Sequence, residues 1–102
     1  MEDALNVACS APIEIIKTCA KGIDLIEVFA EKGSRLALSD AGVGATLLKS
    51  AMQGASLNVY INTKSMKDRE RAGKLNQLAD SLRTEYEAKA DRIFAEVNSR
   101  IR

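Results

Sequence analysis

The chain has 102 residues, with 15 basic and 14 acidic side chains, a formal net charge of +1 and no histidine. A chain of this length forms one domain, and its balanced, interspersed charge predicts neither a nucleic-acid nor a membrane partner. The lack of histidine excludes a Ser-His-Asp catalytic device and, with only two cysteines, an ordinary zinc site, so we expect no bound metal.

The remaining composition favours helices over sheet, because the chain has one proline, six glycines and few aromatic residues. No apolar run approaches the roughly 18 residues that a membrane span needs, and we find no leader sequence. We therefore expect a single cytoplasmic, helical domain over residues 1–102.

The first predicted helix covers residues 2–32, where apolar side chains recur every three or four residues. The repeat keeps its phase across Pro12, which predicts one long helix kinked there, with Ser10 as the cap if the helix breaks instead. Gly33 is expected to end the helix as its C′ residue. Cys9 and Cys19 would lie about 15 Å apart along it, too far for a disulfide, so we expect reduced, buried thiols. The repeat consists of Leu5, Ala8, Pro12, Ile15, Cys19, Ile23, Ile26 and Ala30.

The second helix is predicted to begin at Ser39 or Asp40, both good N-cap residues, after a short connection over residues 35–38. Gly42 and Gly44 follow, and each costs roughly 0.8–1 kcal/mol relative to alanine inside a helix. Two explanations are open. Either another helix packs closely against the glycines, or free backbone amides beside a carboxylate accommodate a polar ligand.

One face of this second helix carries mainly small residues, which favour close helix packing: Gly44, Leu48, Ala51, Ala55 and Asn58. We expect a homodimer with this face at or near the twofold axis. Asp40 and Asn58 lie about 27 Å apart along the helix, and an antiparallel crossing near Lys49 would bring Asp40 of one subunit opposite Asn58 of the other. The alternative is that this face packs on the first helix of the same chain.

The second helix is expected to end near Asn62, with a turn over residues 62–64. The sequence Ser65-x-x-Asp68 then resembles a capping box with Asp in the place of Glu, and it predicts a third helix running to near Arg100.

The third helix is the longest, and its apolar stripe has an average spacing close to an 11-residue repeat, which is typical of a straight helix in a globular bundle. Its solvated side should carry the i,i+4 ion pairs Glu70–Lys74 and Glu85–Lys89. The predicted fold is all-α, a bundle of three long helices with short connections and the middle helix flanked by the other two. The stripe consists of Leu75, Leu78, Leu82, Tyr86, Ala90, Ile93, Val97 and Ile101.

Three motifs occur in a characteristic order and spacing: Ser39-Asp40-Ala41-Gly42-Val43-Gly44, Leu57-Asn58-Val59-x-Ile61-Asn62 and Lys64-Ser65-x-Lys67-Asp68. With Ala11-Pro12-Ile13-Glu14 and Glu31-Lys32-Gly33, they make the chain resemble the formiminotransferase-cyclodeaminase family. The resemblance is to the C-terminal part of its cyclodeaminase, or methenyltetrahydrofolate cyclohydrolase, domain, and it covers essentially the whole chain.

This resemblance implies an all-helical, dimeric enzyme of folate one-carbon metabolism whose substrate is a tetrahydrofolate derivative. The reaction would be loss of ammonia from a formimino group to give the methenyl form, or interconversion of methenyl and formyl forms with water. Domains of the family are nearly twice this length and carry an upstream Pro-Gly-Gly-Gly-Ser type loop, which this chain lacks. The alternative function is therefore a non-catalytic helical dimerisation module derived from such an enzyme.

Asp40 is the candidate catalytic residue, because it is the carboxylate placed beside the glycines. We expect it first to orient the pterin or the one-carbon nitrogen and second to transfer a proton. Ser39, Gly42, Gly44 and Asn58 are the candidate substrate-binding residues. The alternative is that Asp40 is only a helix cap.

Overall fold

The computed structural model describes the backbone of residues 1–32 and 35–102 and the side chains of residues 1–32 and 37–102. Three helices make up the described chain: α1 (Glu2–Lys32), α2 (Arg35–Lys64) and α3 (Arg69–Ile101). The expected all-α bundle of three long helices is confirmed. Gly33, the expected C′ residue of α1, lies outside the described residues.

Helix α1 runs without interruption through Pro12, as the unbroken apolar repeat predicts. Ser10 is not a cap, because its hydroxyl donates to the carbonyl of Val7 within the helix at 2.7 Å. The buried stripe is rotated from the predicted one in the first half of α1, where Ile16 is fully buried and Ile15 is 48% exposed. Proline is accepted here because the helix gains more from burying its apolar face than it loses with one backbone hydrogen bond.

Helix α2 begins at Arg35, four residues before the expected N-cap. The predictions of a connection over residues 35–38 and of an N-cap at Ser39 or Asp40 are therefore wrong. Leu38 and Ala45 are buried on the core side of the helix. Burial of this stripe, extended by Ala41, explains why the helix continues through two residues that would locally favour a cap.

Helix α2 ends at Lys64, so residues 62–64 form its last turn and not the predicted connecting turn. The guanidinium of Arg69, the first residue of α3, donates to the carbonyls of Thr63 at 2.8 Å and Met66 at 2.9 Å. Carbonyls at a helix C-terminus lack intrahelical partners, and this side chain supplies a donor for that of Thr63, while Met66 lies in the connection between α2 and α3.

Helix α3 is capped by Asp68, whose side chain accepts a hydrogen bond from the backbone N–H of Arg71 at 3.0 Å. The predicted capping box with Ser65 at the N-cap is wrong. The amides of Lys67 and Asp68 donate to the carboxylate of Glu2, at 2.7 and 2.8 Å. The start of α1 is thereby tied to the turn between α2 and α3.

The three helices form an elongated bundle of 51 × 17 × 16 Å, in which α2 packs along both of the others. The helices approach closely at three glycines, where a Cβ atom would crowd a side chain of the neighbouring helix. A Cβ atom added at Gly22 would lie 2.8 Å from Leu48. One added at Gly44 would lie 2.8 Å from Ile26, and one added at Gly42 would lie 3.1 Å from Val97. Cys9 and Cys19 lie buried in the core as free thiols, and burial raises the pKa of both.

The predicted ion pairs of α3 have different outcomes. Lys74 lies 3.7 Å from Glu70, which confirms that pair. Lys89 instead contacts α1, with its ammonium 2.6 Å from Asp24 and 3.7 Å from Glu27, so its predicted pairing with Glu85 is wrong. Two carboxylates on the facing helix outweigh one on the solvated side of the same helix.

Candidate functional site

The five candidate site residues all lie on α2, but the described chain does not bring them into one site. Asp40 is exposed and borders a groove between α1 and α2. Ser39 and Gly42 line a second groove on the opposite side of α2, against α3. Gly44 packs against Ile26 of α1, and Asn58 is exposed about five turns beyond Asp40 along the helix.

The backbone amides of Gly42 and Gly44 are not free to bind the polar ligand considered above, because both glycines lie well inside α2. Only the first four N–H groups of a helix lack an intrahelical acceptor, and in α2 these belong to residues 35–38. Of the two explanations for the glycines, the close packing against Val97 and Ile26 supports the structural one.

The groove that contains Asp40 has a volume of about 240 Å³ and is otherwise apolar. Phe29, which is 65% exposed, and Ile26 contribute from α1, and Ala37 and Ala41 contribute from α2. An aromatic ring and a carboxylate therefore border the same shallow depression. Such a pair can stack against a flat heterocycle and accept hydrogen bonds from its ring N–H groups.

The groove between α2 and α3 is larger, about 360 Å³, and more strongly apolar. This groove was not predicted from the sequence, because Phe94 lies next to the predicted stripe of α3 and was assigned no role. The apolar side chains on its walls are Val43, Leu47, Phe94, Val97 and Ile101, and the polar residues Ser39, Thr46 and Asn98 lie at its margins.

A third feature is a polar cluster between α1 and α3. The hydroxyl of Tyr86 and the ammonium of Lys89 both donate to the carboxylate of Asp24, at 2.9 and 2.6 Å. The hydrogen bond from Lys89 lowers the pKa of Asp24, and the hydrogen bond to Asp24 raises the pKa of Tyr86. Sequence spacing gave no signal for this cluster, because Asp24 lies more than 60 residues from its partners.

The profile of the formiminotransferase-cyclodeaminase family matches residues 1–81. The chain belongs to this family.

Two kinds of curated family members are similar to the chain. It is 35% identical over 101 residues to a methenyltetrahydrofolate cyclohydrolase of Methylorubrum extorquens, covering 99% of this chain and 49% of the relative. It is 27% identical over 100 residues to formimidoyltransferase-cyclodeaminases of Rattus norvegicus and Mus musculus, covering 98% of this chain and 18% of each relative. The chain thus spans about half the length of the first relative and under a fifth of the other two.

The family match includes Asp40 and Asn58 and ends before Lys89 and Phe94. Among residues 1–32 and 35–102, no three Cys, Asp or Glu side chains are arranged to hold a metal ion. Within those same residues of the chain, no helix is long and apolar enough to cross a membrane.

Proposed function

We propose that this chain provides the C-terminal, folate-handling helices of a methenyltetrahydrofolate cyclohydrolase or formimidoyltetrahydrofolate cyclodeaminase. The observation that carries the proposal is its 35% identity, over 99% of its length, to a protein named methenyltetrahydrofolate cyclohydrolase. The substrate would be a tetrahydrofolate derivative, with no metal required. A cytoplasmic location accords with the two free, buried thiols.

In this proposal Asp40 orients the substrate. Its carboxylate accepts hydrogen bonds from the pterin N–H groups while the ring stacks on Phe29 across the α1–α2 groove. Proton transfer to the leaving amine or hydroxide is a secondary role for the same carboxylate. Ser39, Gly42 and Asn58 lie outside this groove. Any contact that they make would therefore be with a different part of the substrate molecule.

The α1–α2 groove, at about 240 Å³, is smaller than the roughly 300–1,000 Å³ of typical small-molecule sites. We therefore propose that further polypeptide, from another chain or another segment, completes the folate site. The substrate's remaining contacts would come from that part.

A second candidate function is a non-catalytic helical assembly module related to these enzymes. It is favoured by the large apolar side chains that α2 exposes along its outer side, among them Leu47 and Ile61. Extended exposed apolar surface is one mark of a protein–protein association surface.

The two functions are separated by calorimetric titration with 5-formyltetrahydrofolate of the assembly that contains this chain and the polypeptide completing its site, together with an absorbance assay for hydrolysis of the methenyl form. The folate proposal expects binding that Asp40→Asn weakens about tenfold, by loss of a charge-assisted hydrogen bond, with unchanged thermal stability. Glu85→Gln, which alters an exposed carboxylate on α3, is the matched control. A folded assembly that does not bind the folate contradicts the folate function, and one that binds it equally well after Asp40→Asn contradicts the role of Asp40.

A further inference from the structure

The outward side of α1 carries a strip of uncharged residues that the described chain leaves largely uncovered. Its positions are spaced by three or four residues throughout, the spacing along which a second helix packs. Exposure reaches 71% at Val7 and 63% at Leu25. In chain order, the α1 strip consists of Ala4, Val7, Ala11, Ile15, Thr18, Gly22, Leu25 and Phe29.

The charged residues of α1 all lie off this strip. With 3.6 residues per turn they occupy a separate sector of the helix surface, from which Asp24 and Glu27 reach Lys89 of α3. A solvated helix face normally carries charged and polar side chains, so an exposed strip without charge is typical of an interaction surface. The charged residues are Glu2, Asp3, Glu14, Lys17, Lys21, Asp24, Glu27, Glu31 and Lys32.

A second uncharged strip lies on α2. Between residues 41 and 63 the sequence contains one charged residue, Lys49, and its ammonium is turned to α3, 2.7 Å from Asp91. Gly44 and Leu48, part of the small-residue face expected at a twofold axis, pack on α1 instead. The exposed α2 strip consists of Val43, Leu47, Ala51, Gly54, Asn58 and Ile61.

The two strips lie side by side and form one continuous surface. Gly22 of the α1 strip is so close to Leu48, the neighbour of Leu47 in α2, that an added Cβ would lie 2.8 Å from it. Towards the other end of the helices, the side-chain amide of Asn62 donates to the carbonyl of Ala8 at 3.4 Å. The α1 strip and the α2 strip together are the α1–α2 surface, and neither strip contains a charged residue.

The α1–α2 surface is large for a face in contact with water. The α1 strip is about 37 Å long and the α2 strip about 27 Å, and each helix has a width of roughly 10 Å. The area is therefore on the order of 600 Å², the upper end of the apolar patches that monomers expose. With an equal area from a partner, the total of roughly 1,200 Å² reaches the lower limit of specific, stable interfaces.

The chemistry of this surface defines its partner. The spacing of the α1 strip favours a helix, and the lack of charge favours an apolar seam, because a charge buried there would find no opposite charge. A Cβ added at Gly54 would meet no described atom within 4 Å, so a partner can approach α2 closely. The chain matches 49% of the Methylorubrum extorquens cyclohydrolase, which leaves about as much polypeptide again to cover such a surface.

We propose that the α1–α2 surface binds helical polypeptide from outside residues 1–102, the counterpart of the half of the cyclohydrolase that this chain does not match. The partner presents an apolar, uncharged seam along α1 and α2. Phe29 belongs to the α1 strip and also borders the groove that contains Asp40, so the bound partner adjoins this groove and supplies its missing wall. The choice of partner rests on the proposed function, whereas the surface itself does not.

The first test is complex formation with the segment of the Methylorubrum extorquens cyclohydrolase that lies outside the match, coexpressed with this chain. Sedimentation at about 10 µM, where a complex of micromolar affinity is mostly formed, should show one copy of each polypeptide. Ile15→Glu should raise the dissociation constant at least about 100-fold, because the complex would then bury a carboxylate. The control is Val28→Glu, which lies off the strip and should leave the constant unchanged. Both residues are β-branched and similarly exposed, 48% for Ile15 and 47% for Val28, and circular dichroism verifies that both variants keep their helix content.

The second test locates the partner by labelling with a maleimide. Thr18→Cys places a thiol in the α1 strip, and Lys21→Cys places one at an exposed position outside it. Within the complex, Thr18→Cys should react at least about tenfold more slowly than in the free chain, because the partner covers it. Lys21→Cys should react at an unchanged rate. Cys9 and Cys19 are buried and do not compete.

Two folded polypeptides that form no complex overturn the proposal, and so does a complex that tolerates Ile15→Glu or leaves Thr18→Cys reactive. Protection of Thr18→Cys by self-association of this chain alone also overturns it, because the occupant would then be a second copy. Association is measured without folate. A complex that protects Thr18→Cys but does not bind 5-formyltetrahydrofolate therefore supports the docking and contradicts the folate function.

Discussion

The ammonium of Lys89 lies 2.6 Å from the carboxylate of Asp24 and joins the middle of α3 to α1. Tyr86 donates to the same carboxylate, and the Lys89 ammonium lies 5.2 Å from the centre of the Tyr86 ring. Helices α1 and α3 have the smallest mutual contact of the three helix pairs. This cluster provides part of the polar contact between them, beside the hydrogen bonds from Arg71 to Asn6 and from Arg100 to the carbonyl of Ala30.

Replacing Lys89 with methionine should lower the free energy of unfolding by about 1 kcal/mol, or roughly 4–8 °C in Tm. The estimate is modest because the Asp24 side chain is 46% exposed, and water screens the pair. Lys74→Met is the control, since its pair with Glu70 is highly exposed and should cost under about 0.5 kcal/mol. Equal losses from the two variants in urea denaturation would contradict a special contribution from Lys89.

The pH dependence of stability should show the contribution of Asp24. The pKa of Asp24 in the folded chain lies below its ordinary value of 3.8, and the hydrogen bond from Lys89 is the largest cause. The stabilisation is therefore present above the unfolded-state pKa and is lost as the pH falls through the lower folded-state value. Urea denaturation should show Asp24→Asn less stable than the parent at neutral pH, with a difference that shrinks below about pH 4. A difference that stays constant into strong acid would exclude this linkage.

The glycines of the bundle should respond to alanine according to their surroundings. At Gly73 an added Cβ meets no described atom within 4 Å, so Gly73→Ala should stabilise α3 by about 0.5–1 kcal/mol. Gly42→Ala should gain nothing or destabilise, because its Cβ would lie 3.1 Å from a methyl group of Val97, a β-branched side chain with little freedom to move. Chemical denaturation of both variants checks the order, and a clear gain at Gly42 would show that the packing is looser than described.

Long-range periodicity proved a better guide to the fold than local signals. The repeat through Pro12 correctly indicated one helix, because burial of a whole face outweighs one lost hydrogen bond. Ser39 and Asp40 carried the strongest local cap signal and misplaced the start of α2. The start of α2 is set by residues such as Leu38 that are buried in the core. A local sequence pattern does not show which residues will be buried.

The candidate site was less predictable than the fold. Gly42 and Gly44 were correctly singled out as unusual, but whether they admit a ligand or a neighbouring helix depends on Val97 and Ile26, which come from two other helices. Lys89 likewise had a plausible partner four residues away and found a closer one on α1. Contacts between helices depend on their relative rotation, which sequence spacing within one helix does not determine.

A part-buried hydrogen bond between α2 and α3 gives the last prediction. Thr63 is 1% exposed, and its hydroxyl donates to Oδ1 of Asn76 at 2.6 Å. Thr63→Val keeps the branched shape but leaves that oxygen without its donor, so it should cost about 1–3 kcal/mol in the free energy of unfolding. Thr18→Val, at an exposed position of α1, should change stability by under about 0.5 kcal/mol.

A double variant shows whether the loss comes from the hydrogen bond itself. When both partners are replaced by apolar side chains, no buried polar atom is left without a partner, and much of the cost is removed. Thr63→Val with Asn76→Leu should therefore be less destabilised than the sum of the two single variants, by roughly 0.5 kcal/mol or more. Strictly additive losses in urea denaturation would show that packing around Thr63, and not the hydrogen bond to Asn76, sets its contribution.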